Sequence, residues 1–93
     1  MASPISSTNN QAKPVVVQLF AKAAELTGKR QMTVYLSDEE TVGTLFRRIA
    51  ITHPELGELK ASLRFAVNHE FTDDTKRLHA GDEIAFLPPV SGG

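Results

Sequence analysis

The 93-residue chain contains no cysteine. That absence excludes disulfides, thiolate metal sites, a cysteine nucleophile and any persulfide held on a side chain. Neither sign of charge is in excess: ten Lys and Arg stand against eleven Asp and Glu, a net charge of −1. Phosphate-backbone binding needs a basic surplus that is missing here, so nucleic acid is not an expected partner. No run approaches the roughly 18 apolar residues of a membrane span, and the N-terminus has neither a charged nor an apolar leader segment. The expectation is a cytoplasmic chain with no membrane partner. Gly43 and the pair Gly92 and Gly93 fit neither the Walker nor the dinucleotide spacing, and there is no Gly-x-Ser-x-Gly elbow. His53, His69 and His79 are not spaced as metal ligands. No metal and no cofactor bound by this chain is expected.

What is present, 41% hydrophobic and 23% charged residues, is the composition of a single globular domain. Residues 1–14 are Ser, Thr, Asn, Gln and Pro with one charge and one Ile, and read as a disordered extension. From Val15 the β-branched run VVVQLF predicts a buried strand. A helical turn over Ala21 to Leu26, stopping at Gly28, connects it to Gln31 to Leu36, where Met32, Val34 and Leu36 alternate with polar residues. Thr41 is a fit N-cap for a helix whose apolar stripe is Val42, Leu45, Phe46, Ile49 and Ala50, ended at His53 by Pro54. Asp38, Glu39 and Glu40 read as a solvated acidic cap, and Arg47 and Arg48 as a solvated face or partner contacts. Leu56, Leu59 and Leu63 cover the core edge. Arg64 to Asn68 predicts a third strand, His69 and Glu70 a turn, Phe71 a short fourth strand, and Glu83 to Leu87 the last. Two strands, one main helix and then strands is an α+β order, that of a β-grasp (ubiquitin-like) domain over residues 15–87 with a mixed sheet and the last strand parallel to the first.

The C-terminus is the unusual feature. Ile84 to Gly93 carries no ionisable side chain, so the only charge in the last ten residues is the terminal carboxylate. Pro88 and Pro89 favour an extended conformation and direct Val90, Ser91, Gly92 and Gly93 away from the domain. Six residues at about 3.3 Å each reach roughly 20 Å, enough to thread a narrow channel in another protein. Residues 88–93 are thus expected as a flexible tail. A deliverable carboxylate on Gly93 can attack the α-phosphate of ATP on an activating enzyme. A sulfur nucleophile then leaves a thiocarboxylate, the only covalent site for transferable sulfur in a chain without cysteine.

The segments LFAKAAELTG (Leu19 to Gly28), AVN (Ala66 to Asn68) and AGDEIAFLPPVSGG (Ala80 to Gly93), with the helix TVGTLFRRI, resemble the MoaD family, the small subunits of molybdopterin synthase among ubiquitin-like sulfur carriers. The resemblance implies a β-grasp fold and a Gly93 that is adenylated by a MoeB or E1-like enzyme using ATP. A sulfur donor then converts it to a thiocarboxylate. It implies a MoaE-like large subunit, in a heterotetramer, that takes the tail into its active site and passes sulfur to cyclic pyranopterin monophosphate; catalytic side chains of this chain's own are not expected. Strand parity places Phe20 and Leu87 on the face away from the helix, with Phe71 at its margin, at positions matching the family's apolar partner contacts. The neighbouring readings are a ThiS-like carrier for thiazole or a carrier for cysteine synthesis, and a ubiquitin-like modifier or plain binding module.

Overall fold

The computed structural model describes residues 13–88. Residues 1–12 of the polar lead, and Pro89 to Gly93 of the tail, lie outside the described residues. The elements are β1 (Pro14–Leu19), α1 (Ala21–Thr27), β2 (Gln31–Tyr35), α2 (Val42–Thr52), α3 (Pro54–Gly57), a 3₁₀ turn (Lys60–Ser62), β3 (Arg64–Val67), β4 (Glu70–Thr72) and β5 (Glu83–Leu87). One five-stranded sheet has the order β2-β1-β5-β3-β4. β1 and β5 run parallel at its centre, and every other pairing is antiparallel. This is the mixed β-grasp sheet with helices packed across one face.

Alternation decides which face is buried. Val15, Val17 and Leu19 of β1, Ile84 and Phe86 of β5, and Phe65 and Val67 of β3 join Val42, Leu45, Phe46 and Ile49 of α2 in one core. Phe46, Phe65 and Phe86 form its centre, with ring centroids 5.2–5.7 Å apart and tilted or edge-on contacts, the geometry the ring quadrupole favours. Leu56 is fully buried, while Leu59 and Leu63 close the core edge. Element ends differ from the sequence reading, β2 stopping at Tyr35 rather than Leu36 among them. The first strand starts at Pro14, one residue early, because a proline tolerates the first strand position and its carbonyl accepts from the Gly81 N–H at 2.8 Å. The β3–β4 turn is Asn68-His69, at φ 52° and 73°, so Asn68 leaves the strand and Glu70 joins the next one.

Helix α2 is fixed at its N-terminus by a reciprocal capping box: the Thr44 N–H donates to Thr41 Oγ1 and the Thr41 N–H to Thr44 Oγ1. Its next free donors, the N–H groups of Val42 and Gly43, are taken by the carbonyls of Lys76 and Asp74. That approach is so close that a Cβ on Gly43 would lie 3.0 Å from Asp74 Cβ and its carbonyl oxygen.

The acidic run is not a uniform solvated cap. Glu40 is 4% exposed; its carboxylate accepts from the Ser37 N–H and the Thr44 hydroxyl and pairs with Arg48. Arg48 also donates to the Tyr35 carbonyl at 3.0 Å, joining α2 to the end of β2. Asp38 and Glu39 stay exposed, as does Arg47. The adjacent arginines should therefore differ. Arg48→Ala leaves a buried carboxylate without its counter-charge and is expected to cost about 2 kcal/mol, discounted because the Arg48 side chain is itself half exposed. Arg47→Ala should stay within about 0.5 kcal/mol. Urea denaturation of both variants checks this difference.

Candidate functional site

The sheet face turned away from the helices is built from rows fixed by register. Gln18 pairs with Ala85, Ala85 with Ala66, and Ala66 with Phe71; in the next row Leu87 pairs with Arg64. Because β1 and β5 are parallel, with Leu19 opposite Phe86, the residue after each, Phe20 and Leu87, emerges at the same level. The row of two alanines is low and the residues around it are tall. A shallow concavity of about 260 Å³ results, lined by Phe20, Ala66, Phe71, Ala85 and Leu87 with Gln18, His69 and Glu83 at its rim. Ala66 is buried although it faces away from the helices. Phe20 and Phe71 remain 43% and 60% exposed.

Phe20, Phe71 and Leu87, the three apolar positions expected on this face, thus line one concavity. Phe20 sits at the N-cap of α1 without a side-chain cap bond, and Ala21 after it has φ 51°, a left-handed conformation costing a non-glycine residue about 1 kcal/mol. Phe71 is held by the Arg64 guanidinium, 4.5 Å from its ring centroid. Pro88, exposed, follows Leu87 directly; Pro89, Val90, Ser91, Gly92 and Gly93 lie outside the described residues.

The sequence reading missed what holds the rim. The Asn68 amide donates to Asp82 Oδ1 at 2.9 Å and accepts from the Glu83 N–H at 3.0 Å, while the Asn68 N–H donates to the Glu83 carbonyl at 2.7 Å. The other Asp82 oxygen accepts from the His79 N–H at 2.8 Å. Asn68 and Asp82 occur in the AVN and AGDE segments, whose spacing of 14 residues hides that they meet. This staple ties the β3–β4 turn to the start of β5. The neighbouring His69 Nε2 then lies 3.3 Å from Glu83 Oε1. His53, His69 and His79 do not converge, and no metal-ligating cluster occurs among the described residues.

The ThiS family model matches residues 17–93, through the last glycine. The chain belongs to the ThiS family. It is thereby a member of the MoaD/ThiS superfamily of ubiquitin-like sulfur carriers. It is 40% identical over 82 residues to the molybdopterin synthase sulfur carrier subunit of Homo sapiens, covering 85% of this chain and 93% of that one. The crystal structure of small archaeal modifier protein 1 from Haloferax volcanii superposes with a TM-score of 0.73 at 34% identity, over 86% of this chain and 99% of that one. A protein–protein complex of subunits 1 and 2 of the molybdopterin-converting factor from Helicobacter pylori gives a TM-score of 0.59 at 25% identity, over 86% and 99%. Among the described residues, no helix of this family member is long and apolar enough to cross a membrane.

The staple carries a prediction. Asp82→Ala removes two acceptors at once and should destabilise the domain by about 1–2 kcal/mol. Amide shifts should change at Asn68, His69 and Phe71 while those of α2 stay in place; denaturation and NMR spectra of the variant test both expectations.

Proposed function

We propose that this chain is the sulfur-carrying small subunit of a molybdopterin synthase. The observation that carries the reading is the exit of the chain: central strand β5 delivers exposed Pro88 beside an apolar concavity, and the family match runs on to Gly93. A domain that presents a patch and a tail side by side can dock and thread in one encounter. A Gly93 carboxylate oxygen attacks the α-phosphate of ATP on a MoeB or E1-like enzyme, expelling pyrophosphate. Sulfide-level sulfur from a donor then attacks the acyl carbon, breaks its bond to AMP and leaves the thiocarboxylate. A MoaE-like large subunit, in a heterotetramer, receives Pro88, Pro89, Val90, Ser91 and Gly92 in its channel and passes the sulfur to cyclic pyranopterin monophosphate. ATP belongs to the activating enzyme, and this chain contributes the carrier carboxylate rather than catalytic side chains. The likeness to the human carrier subunit and to the two-subunit complex supports this reading.

The likeness to the archaeal modifier supports a second reading, in which Gly93 forms an isopeptide with a lysine. Intact mass separates them. After incubation with an E1-like enzyme, ATP and a sulfur source, the carrier gains the mass of one oxygen replaced by sulfur at Gly93, and deletion of Gly92 and Gly93 abolishes the gain with the fold intact. No gain, with an enzyme proven on its own carrier, rejects the carrier reading; conjugates in a lysate supplied with ATP would establish the modifier. For the face, Phe20→Lys places a charge where an apolar contact is proposed and should weaken large-subunit binding by about 2 kcal/mol with little change in stability. Unchanged affinity in calorimetry would discard the concavity as the docking face.

A further inference from the structure

The outer edge of the sheet offers a second surface. Among the described residues, β2 has β1 on one side and no strand on the other. Leu36 N–H donates to the Lys13 carbonyl and Leu19 N–H to the Arg30 carbonyl. With Val15 opposite Val34 and Val17 opposite Met32, the antiparallel alternation assigns Arg30, Met32, Val34 and Leu36 to the β1 ladder. Gln31, Thr33 and Tyr35 therefore turn their N–H and C=O groups outward. Arg48 takes the Tyr35 carbonyl. Three donors and two acceptors remain without a protein partner among the described residues. They border a groove of about 350 Å³ between β2 and α2, with Met32, Val34 and Ile49 in its lining and Lys29, Arg48 and His53 around it. Among the described residues no carboxylate lines it; Glu40 meets Arg48 from within the fold.

We propose that this edge binds an extended, apolar peptide segment with acidic flanks from a partner protein, added as a sixth strand beside β2. Main-chain bonds to Gln31, Thr33 and Tyr35 supply the pairing, alternate apolar side chains enter the groove over Met32, Val34 and Ile49, and the acidic flanks face Lys29 and Arg48. The charge of the rim selects this occupant. A second copy of the chain would bring its own Lys29 and half-exposed Arg48 against the first pair, whereas acidic flanks complement them. The site lies at the far edge of the sheet from β4 and uses none of the tail chemistry, so it stands or falls apart from the carrier reading.

The test is an NMR titration of the full-length, isotope-labelled chain with a capped heptapeptide, Glu-Val-Thr-Val-Thr-Val-Glu, and with the same peptide carrying lysine in place of both glutamates. The glutamate peptide should shift the amides of Gln31, Thr33 and Tyr35 and protect them from exchange more than those of Met32 and Val34. The lysine peptide should bind about tenfold more weakly or worse. Thr33→Pro, which removes only an outward N–H, should abolish binding with the remaining spectrum unchanged. Should that variant not fold, Lys29→Glu serves instead and is expected to narrow or reverse the preference between the peptides. Absence of shifts at millimolar peptide, equal affinity for both peptides, or shifts confined to Phe20, Phe71 and Leu87 would overturn the proposal. So would β2 shifts that grow with protein concentration alone, which would assign the edge to a second copy.

Discussion

The parallel pairing of β1 with β5 is the constraint on which the rest of the molecule depends. Parallel neighbours cannot be joined by a tight turn, so everything from Phe20 to Asp82 is the connection that brings the chain back to start a strand in the same direction. The crossover contains the main helix, which must therefore lie across the sheet and bury one face of it. It also places the last strand in the middle of the sheet rather than at an edge. The chain therefore leaves β5 at Pro88 with a strand on each side. For a chain whose proposed chemistry resides in its terminal carboxylate, that position sets exposed Pro88 beside the concavity proposed as the docking face, without any added element.

The two faces of the sheet are used in opposite ways. The helix side is filled by large apolar residues, centred on Phe46, Phe65 and Phe86, and its packing supplies the stability. The other side is kept low at its centre by Ala66 and Ala85 and high at its margin by Phe20, Phe71 and Leu87. Burying one such side chain in a partner is worth about 1.5–3 kcal/mol, so a few exposed rings suffice for the docking proposed for this face. Polar groups hold the periphery: Asn68 and Asp82 fix the rim, and Glu40 and Arg48 join helix to strand. The concavity around β5 and the groove beside β2 open on opposite faces of the sheet, which allows one to be occupied without blocking the other.

Much of the fold was legible because it follows from periodicity. The alternation in Val15 to Leu19, the stripe from Val42 to Ile49 and the alternation in Glu83 to Leu87 each state which face is buried, and the structure buries those faces. The end of α1 at Gly28 and the cap at Thr41 follow from local backbone chemistry and are found there. The errors fall where a local signal has two outcomes. Glu40 stands in a run of acids that reads as solvated, yet the Ser37 N–H, the Thr44 hydroxyl and Arg48, eight residues later along α2, together hold its carboxylate inward. Asn68 continues the pattern of a strand, yet its side chain finds Asp82 and its backbone turns. The grouping of Phe20, Phe71 and Leu87 followed from parity once β1 and β5 were taken as neighbours; Phe71 entered it through the register of β4 on β3.

The sequence by itself determined the main strands and helices, their buried faces and a last stretch without ionisable side chains, because side-chain period, cap chemistry and composition are properties of short stretches of chain. Only the tertiary structure decided which distant residues meet. The concavity with its alanine floor, the staple between Asn68 and Asp82, the burial of Glu40 and the open donors of β2 depend on strand order and register. Those are set by the packing of the whole core, and no local stretch of sequence carries them.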